Sequence, residues 1–309
     1  MEVSVRNLKQ YFGRTRAVDD VSFSFSGGHI FGFVGPNGAG KTTTMRILAT
    51  LDEPMSGDAT VDGISVVQDP EKARKLVGFM PDSLPSHRDI TVHEYIDFFA
   101  RAYNVDRRKR SSIVEGIEEF TNLLGIREKT LRALSKGMKQ RVSLARAMVH
   151  DPAVLILDEP AAGLDPRARI ELRELLKVLS ARGKAILVSS HILTELAEIC
   201  DGAIIIEQGR ILRAGTMEHI FANDAPHCTV GLRAIGGVET LYKRLLEVPN
   251  VANVRIVGLL VEIDIEGGDE ACGRVLADLI ARGLSIVEFV HQRAGLEELF
   301  MTITKGKVQ

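Results

Sequence analysis

The chain is short of cysteine, of long apolar runs and of net charge, and each shortage removes a class of function. Its three cysteines, Cys200, Cys228 and Cys272, lie far apart, odd in number and without metal-ligand spacing. That pattern fits neither a disulfide framework nor a thiolate metal site, so reduced thiols without chemistry are expected. No run of about 18 apolar residues occurs and the N-terminus has no signal-peptide pattern, so the chain is expected neither to cross a membrane nor to carry a secretory address. A net charge of −2 argues against a general nucleic-acid binder. What is present is hydrophobic content of 45% over 309 residues, enough for one large or two smaller domains.

Residues 35 to 43 read Gly-Pro-Asn-Gly-Ala-Gly-Lys-Thr-Thr, after the apolar run Ile30 to Val34 and before a helix-like stretch from Met45 to Ala49. Strand, glycine-rich loop and helix in that order make a phosphate-binding loop. Gly35, Pro36, Asn37, Gly38, Ala39 and Gly40 are the candidate nucleotide-binding positions, the glycines letting consecutive backbone N–H groups turn toward an anion. The helix N-terminus adds positive potential, Lys41 can reach the terminal phosphates, Thr42 can ligate Mg²⁺ and Thr43 counts with the nucleotide-binding positions. Residues 153 to 160, Ala-Val-Leu-Ile-Leu-Asp-Glu-Pro, supply the complement. Four large apolar residues suit a strand buried on both faces of a parallel sheet, and Asp158 and Glu159 emerge at its C-terminal end, where such sheets carry their sites. Asp158 is expected to steady the metal and Glu159 to accept a proton from the attacking water.

Between these elements stands Leu134-Ser135-Lys136-Gly137-Met138-Lys139-Gln140, and here the chain resembles the nucleotide-binding subunit of an ATP-binding cassette (ABC) transporter. Ser135 and Gly137 match that family's Leu-Ser-Gly-Gly-Gln signature, whereas Lys136 and Met138 depart from it. The resemblance implies that this loop faces the γ-phosphate held by an opposite subunit, so that one subunit alone is an incomplete site. Ala162-Gly163-Leu164-Asp165-Pro166 resembles the family's D-loop, with Asp165 expected to organise the dimer interface. Val188-Ser189-Ser190-His191 resembles its switch, with His191 expected to contact the γ-phosphate and hold Glu159 and water in line. Phe12 aligns with the aromatic residue that stacks on adenine, and Tyr11 beside it could serve instead. Asp82, after Val77 to Pro81, stands where the family has glutamine; it can order a metal-bound water but cannot donate an amide hydrogen bond.

The resemblance implies a P-loop NTPase of α/β class: a mixed sheet core with a helical subdomain at about 83–150, all within residues 1–222. Thr91 and Glu94 form a capping box there, and Val92, Tyr95, Ile96, Phe99 and Tyr103 share one helical face. Residues 223–227 read as a linker, and 228–309 as a small βαββαβ domain whose ending, Gly295 to Phe300, resembles the extension on ABC-2 type exporter ATPases. The function implied is an ATPase that pairs as a homodimer around ATP and Mg²⁺. It would drive a separate membrane permease from the cytoplasmic face, export being favoured, with no nucleic-acid partner. The rival is a soluble ABC protein remodelling a ribosomal or DNA complex, whose relatives usually carry tandem cassettes or long coiled coils; this chain has one phosphate loop and no sustained heptads.

Overall fold

Hydrophobic patterning separates two kinds of strand in the computed structural model, which describes residues 1–84, 89–190, 196–222, 227–249 and 251–292. These residues fall into two units, Met1–Ile220 and a second beginning at Phe221.

In the first unit, β2 (Thr15–Ser26) buries Val21, Phe23 and Phe25 and exposes the serines between them, the period-two signature of a one-sided sheet. It pairs antiparallel with β1 (Glu2–Phe12), and β4 (Ser56–Val61) and β5 (Ile64–Ser65) complete the order β2-β1-β4-β5. By contrast, every residue of β3 (Ile30–Val34), β7 (Val154–Leu157) and β8 (Ala185–Ser190) is buried, as strands covered on both faces must be. With β6 (Val77–Met80), β9 (Gly202–Glu207) and β10 (Arg210–Thr216) they form a second sheet in the order β10-β9-β3-β8-β7-β6, parallel except at β10. Phe23, Phe25, Phe31 and Phe33 pack between the two sheets beside α1 (Lys41–Leu48), which contributes Met45, Ile47 and Leu48. Helix α2 (Pro70–Leu76) leads into β6.

The helical subdomain comprises α3 (Val92–Ala102), α4 (Arg110–Phe120) and α5 (Lys136–Met148). The capping box forms: the Thr91 N–H donates to Glu94 Oε2 at 2.8 Å, and the Glu94 N–H to Thr91 Oγ1 at 3.2 Å. Val92, Tyr95, Ile96, Val142, Ala145 and Val149 share its core, with Phe99, Tyr103 and Met138 packed against it. Three side chains then join α5 and the residue two beyond its end to β6 and to the residue two beyond that strand. Gln140 donates to Asp82 O (3.3 Å), Arg146 to Phe79 O (2.8 Å) and His150 Nε2 to Val77 O (3.1 Å). The His150 ring lies parallel to Tyr103 at 3.7 Å, and burial pulls its pKa down from 6.5 to about 4. Helices α6 (Pro166–Ala181) and α7 (Met217–Ala222) follow.

The second unit runs β11 (His227–Ala234), α8 (Val238–Leu245), β12 (Val251–Val257), β13 (Leu260–Glu266), α9 (Asp269–Ala281) and β14 (Ile286–Gln292). Its strands form one antiparallel sheet, β12-β13-β11-β14. Leu241, Leu245, Val275 and Leu279 from the helices cover Val230, Leu232, Val261 and Ile263 of the sheet, a βαββαβ arrangement with its own core. The expected ending Gly295 to Phe300 lies outside the described residues, as do residues 223–226 of the expected linker.

Candidate nucleotide-binding site

The strand β3 ends at Val34, and the next six residues turn tightly enough that two glycines are steric requirements. A Cβ on Gly35 would fall 2.3 Å from Ile206 O, and one on Gly40 would fall 2.2 Å from Ala17 O. Gly40 also adopts φ +104°, which side chains resist. Helix α1 starts immediately afterwards, so the loop's amides and the helix N-terminus converge on one volume.

Lys41 is only 6% exposed and its Nζ donates to the carbonyls of Gly35 (2.6 Å) and Pro36 (3.1 Å), folding back over the loop it follows. Burial lowers the ammonium pKa, while the charges of Glu159 and Asp158 draw it back up, which places all three groups in one electrostatic neighbourhood. Thr42 Oγ1 donates to Asp158 Oδ2 at 2.9 Å, joining the phosphate loop to the end of β7 across 116 residues of sequence. Asp158 is 3% exposed and its own N–H is held by Met80 O.

A residue without a role of its own in the expected site completes this arrangement. Ser189, fully buried at the end of β8, donates through Oγ to Asp158 Oδ1 (2.6 Å) and accepts from the Glu159 N–H (2.8 Å). One hydroxyl therefore orients the carboxylate of Asp158 and the backbone of Glu159. That backbone needs support, since Glu159 sits at φ +49°. Its traces in the sequence are its place in the switch segment Val188-Ser189-Ser190-His191 and the two serines ending an apolar buried strand. His191 lies outside the described residues, which resume at 196.

On the adenine side, the two aromatic candidates are separated by their surroundings. The Tyr11 hydroxyl donates to Asp19 Oδ1 at 2.7 Å and Arg16 lies over its ring at 5.6 Å, while Arg210 makes two further bonds to Asp19. The Tyr11 hydroxyl and Arg210 together hold the Asp19 carboxyl down at about 2. Phe12, at the tip of the β1–β2 hairpin, is 55% exposed. Ala17 on the same hairpin rests against Gly40.

The other expected residues stand at helix starts. Ser135 caps α5 by accepting from the Met138 N–H (3.3 Å), and Gly137 in its first turn lies near Leu164 and Ala168. Asp165 caps α6 by accepting from the Ala168 N–H (2.9 Å). Asp82 uses its backbone carbonyl to receive Gln140. Buried Cys200 has its thiol pKa raised by burial, away from reactivity.

The sequence profile of the ABC transporter family matches residues 18–162. A Nod factor export ATP-binding protein I from Burkholderia lata is 34% identical, with 99% of this chain and 98% of that protein covered. The chain belongs to the ABC transporter family, as an ATP-binding, ATP-hydrolysing subunit. A linearmycin resistance ATP-binding protein from Bacillus subtilis is 28% identical over 98% of both chains. The solved structure of the ATP-binding subunit of an ABC transporter superposes with a TM-score of 0.66 at 29% identity, covering 72% of this chain and 93% of that one. The first unit is thus an ABC ATPase cassette with the P-loop NTPase fold. No helix among the described residues is long and apolar enough to cross a membrane.

Proposed function

We propose that this chain is the energising subunit of an exporter, and that it drives a separate membrane permease by closing and opening a head-to-tail homodimer around two ATP molecules. The observation that carries the reading is the Lys41–Thr42–Asp158–Ser189–Glu159 cluster, in which phosphate-binding, metal-binding and water-activating groups already share hydrogen bonds and field. Export is favoured because the relatives named above are an export protein and a resistance protein. The location that goes with this role is the cytoplasmic face of the membrane.

The chain's own residues divide the work. Loop amides from Gly35 to Gly40 and the Lys41 ammonium take up phosphate charge, and Phe12 offers a face for adenine. The hard oxygens of Thr42 and Asp158, 2.9 Å apart, are the donors that would hold Mg²⁺, and the Asp82 carboxylate would order a water of that ion. The chemistry supplied by such an ion would be neutralisation of phosphate charge. Glu159 accepts the proton of the attacking water, and His191 holds Glu159 and that water in line. Ser135 and Gly137, at the N-terminus of α5, supply amides and dipole to the γ-phosphate held by the opposite copy, and Asp165 lines the shared interface.

Affinity capture of tagged Glu159→Gln protein from detergent-solubilised cells with ATP tests the partner. Co-purification of a polytopic membrane protein is the expected result; ribosomal or DNA-associated proteins without one would overturn the transporter role.

A further inference from the structure

The signature loop of this chain carries a lysine where the family pattern has glycine, and the structure shows where that side chain goes. A Cβ placed on Gly163 would fall 2.5 Å from Lys136 Nζ and 3.1 Å from its Cε, so the lysine lies across the backbone of Gly163. Gly163 has φ +68° and offers that backbone bare. Lys136 also opens α5 in a first turn with no acidic residue, where the helix dipole disfavours a cation. Leaning onto the loop after Glu159 takes the ammonium away from the helix axis.

That loop is short and connected to Glu159. The Ala162 N–H donates to Glu159 O (3.1 Å), the Leu164 N–H donates to Ala161 O (3.2 Å), and Leu164 is buried against Gly137. Farther along the same two helices, Arg141 of α5 pairs with Glu171 of α6. The start of α5 and the start of α6 are therefore packed as one piece, and Lys136 closes that piece over Gly163.

We propose that Lys136 is a positioning residue: by covering Gly163 it fixes residues 160 to 165 against the N-terminal turn of α5 and so holds Glu159 in its left-handed backbone conformation. This rests on the proposed dimer for its further consequence. In a head-to-tail pair, Ser135 and Gly137 meet the partner's ATP while Glu159 acts on its own, so Lys136 mechanically links the two ATP sites through one subunit.

The test is a double-mutant cycle on the full chain with Lys136→Met, Gly163→Ala and both together, plus Lys136→Arg, measured by phosphate release and thermal midpoint. Lys136→Met is expected to lower kcat roughly tenfold, as small displacements of a reacting group do, with KM for ATP and the midpoint unchanged. Lys136→Arg restores most of the rate, since its guanidinium can cover the same backbone. The double variant is no slower than the slower single variant, because a methyl at Gly163 already expels the lysine. The Hill coefficient for ATP falls toward one in Lys136→Met. Full kcat in Lys136→Met, or fold-losses that multiply in the double variant, would overturn the proposal. The dimer is judged separately by wild-type specific activity against protein concentration. A flat dependence would remove the head-to-tail pair and the link between sites, while the cycle would still decide the Lys136–Gly163 contact.

Discussion

Replacing Ser189 with alanine should damage catalysis far more than ATP binding, although Ser189 belongs to no phosphate-binding loop. The hydroxyl is fully buried and makes two bonds, donating to the Asp158 carboxylate at 2.6 Å and accepting from the Glu159 N–H at 2.8 Å. Losing a bond to a charged group costs about 1.5–3 kcal/mol, and leaving a buried N–H unsatisfied costs about 1–3 kcal/mol. With Glu159 only half-buried the lower end applies, and a total of about 3 kcal/mol would lower the thermal midpoint of a unit this size by about 6–12 °C. The rate effect arises from geometry. Glu159 stands at φ +49° with Ser189 holding its N–H, and release of that strain lets the carboxylate drift from the attacking water. A fall in kcat of about 10–100-fold is expected. KM for ATP should stay within about threefold, because Lys41 and the loop amides keep their contacts. Phosphate release across an ATP titration, beside a melting curve, reads both quantities. Unchanged kcat together with an unchanged midpoint would refute the argument.

Other consequences follow from single residues. His150 is held neutral with a pKa of about 4 against 6.5 when unfolded. Its contribution is therefore complete above pH 6.5 and is lost as pH falls from 6.5 toward 4, where only the unfolded chain takes up the proton. Urea titrations at pH 7.5 and pH 5 should differ by about 1–2 kcal/mol on this account, a difference that His150→Phe removes; an undiminished difference in that variant would assign it elsewhere. Phe12→Ala should raise KM for ATP by about tenfold, the worth of one stacked ring, and Phe12→Trp should restore it, whereas Tyr11→Phe should leave KM alone and release the Asp19 carboxyl toward its ordinary pKa. Equal KM values in Phe12→Ala and wild type would exclude the stacking role. Gly40→Ala should abolish nucleotide binding in equilibrium dialysis, because its methyl would meet Ala17 O at 2.2 Å on a backbone already at φ +104°; retained binding would show that the hairpin yields.

The parts of the fold that sequence made legible are those governed by local rules. Strand, glycine loop and helix from Ile30 to Leu48, the apolar strand before Asp158, and the Thr91–Glu94 capping box all announce themselves within a few residues. The turn at Gln208–Gly209 joins β9 to β10 with both residues at positive φ, the conformation that twisted hairpins favour, although β10 buries none of its residues. The first hairpin was only half visible. Its apolar alternation supports strands from Val3 to Leu8 and Val21 to Phe25, but β1 and β2 run on to Phe12 and back to Thr15 because polar residues such as Gln10 and Lys9 pair with Val18 and Asp19. The missing pieces are long-range polar contacts. Ser189 meets Asp158 and Glu159 from 31 and 30 residues away, Arg146 and His150 reach backbone carbonyls more than 60 residues distant, and Lys136 finds Gly163 from the start of α5. No periodicity encodes such meetings, because partner and distance are decided only when the sheet and α5 come together.

The account turns on whether ATP is held between two copies of this chain. The most direct measurement is the solution mass of Glu159→Gln protein with and without ATP and Mg²⁺, by light scattering on a sizing column. A single-copy mass is expected without nucleotide and twice that mass with it, the doubling lost when Ser135 is also changed to arginine at the facing signature loop. A protein that binds ATP, as radiolabel in the same peak reports, yet keeps the mass of one copy would contradict it.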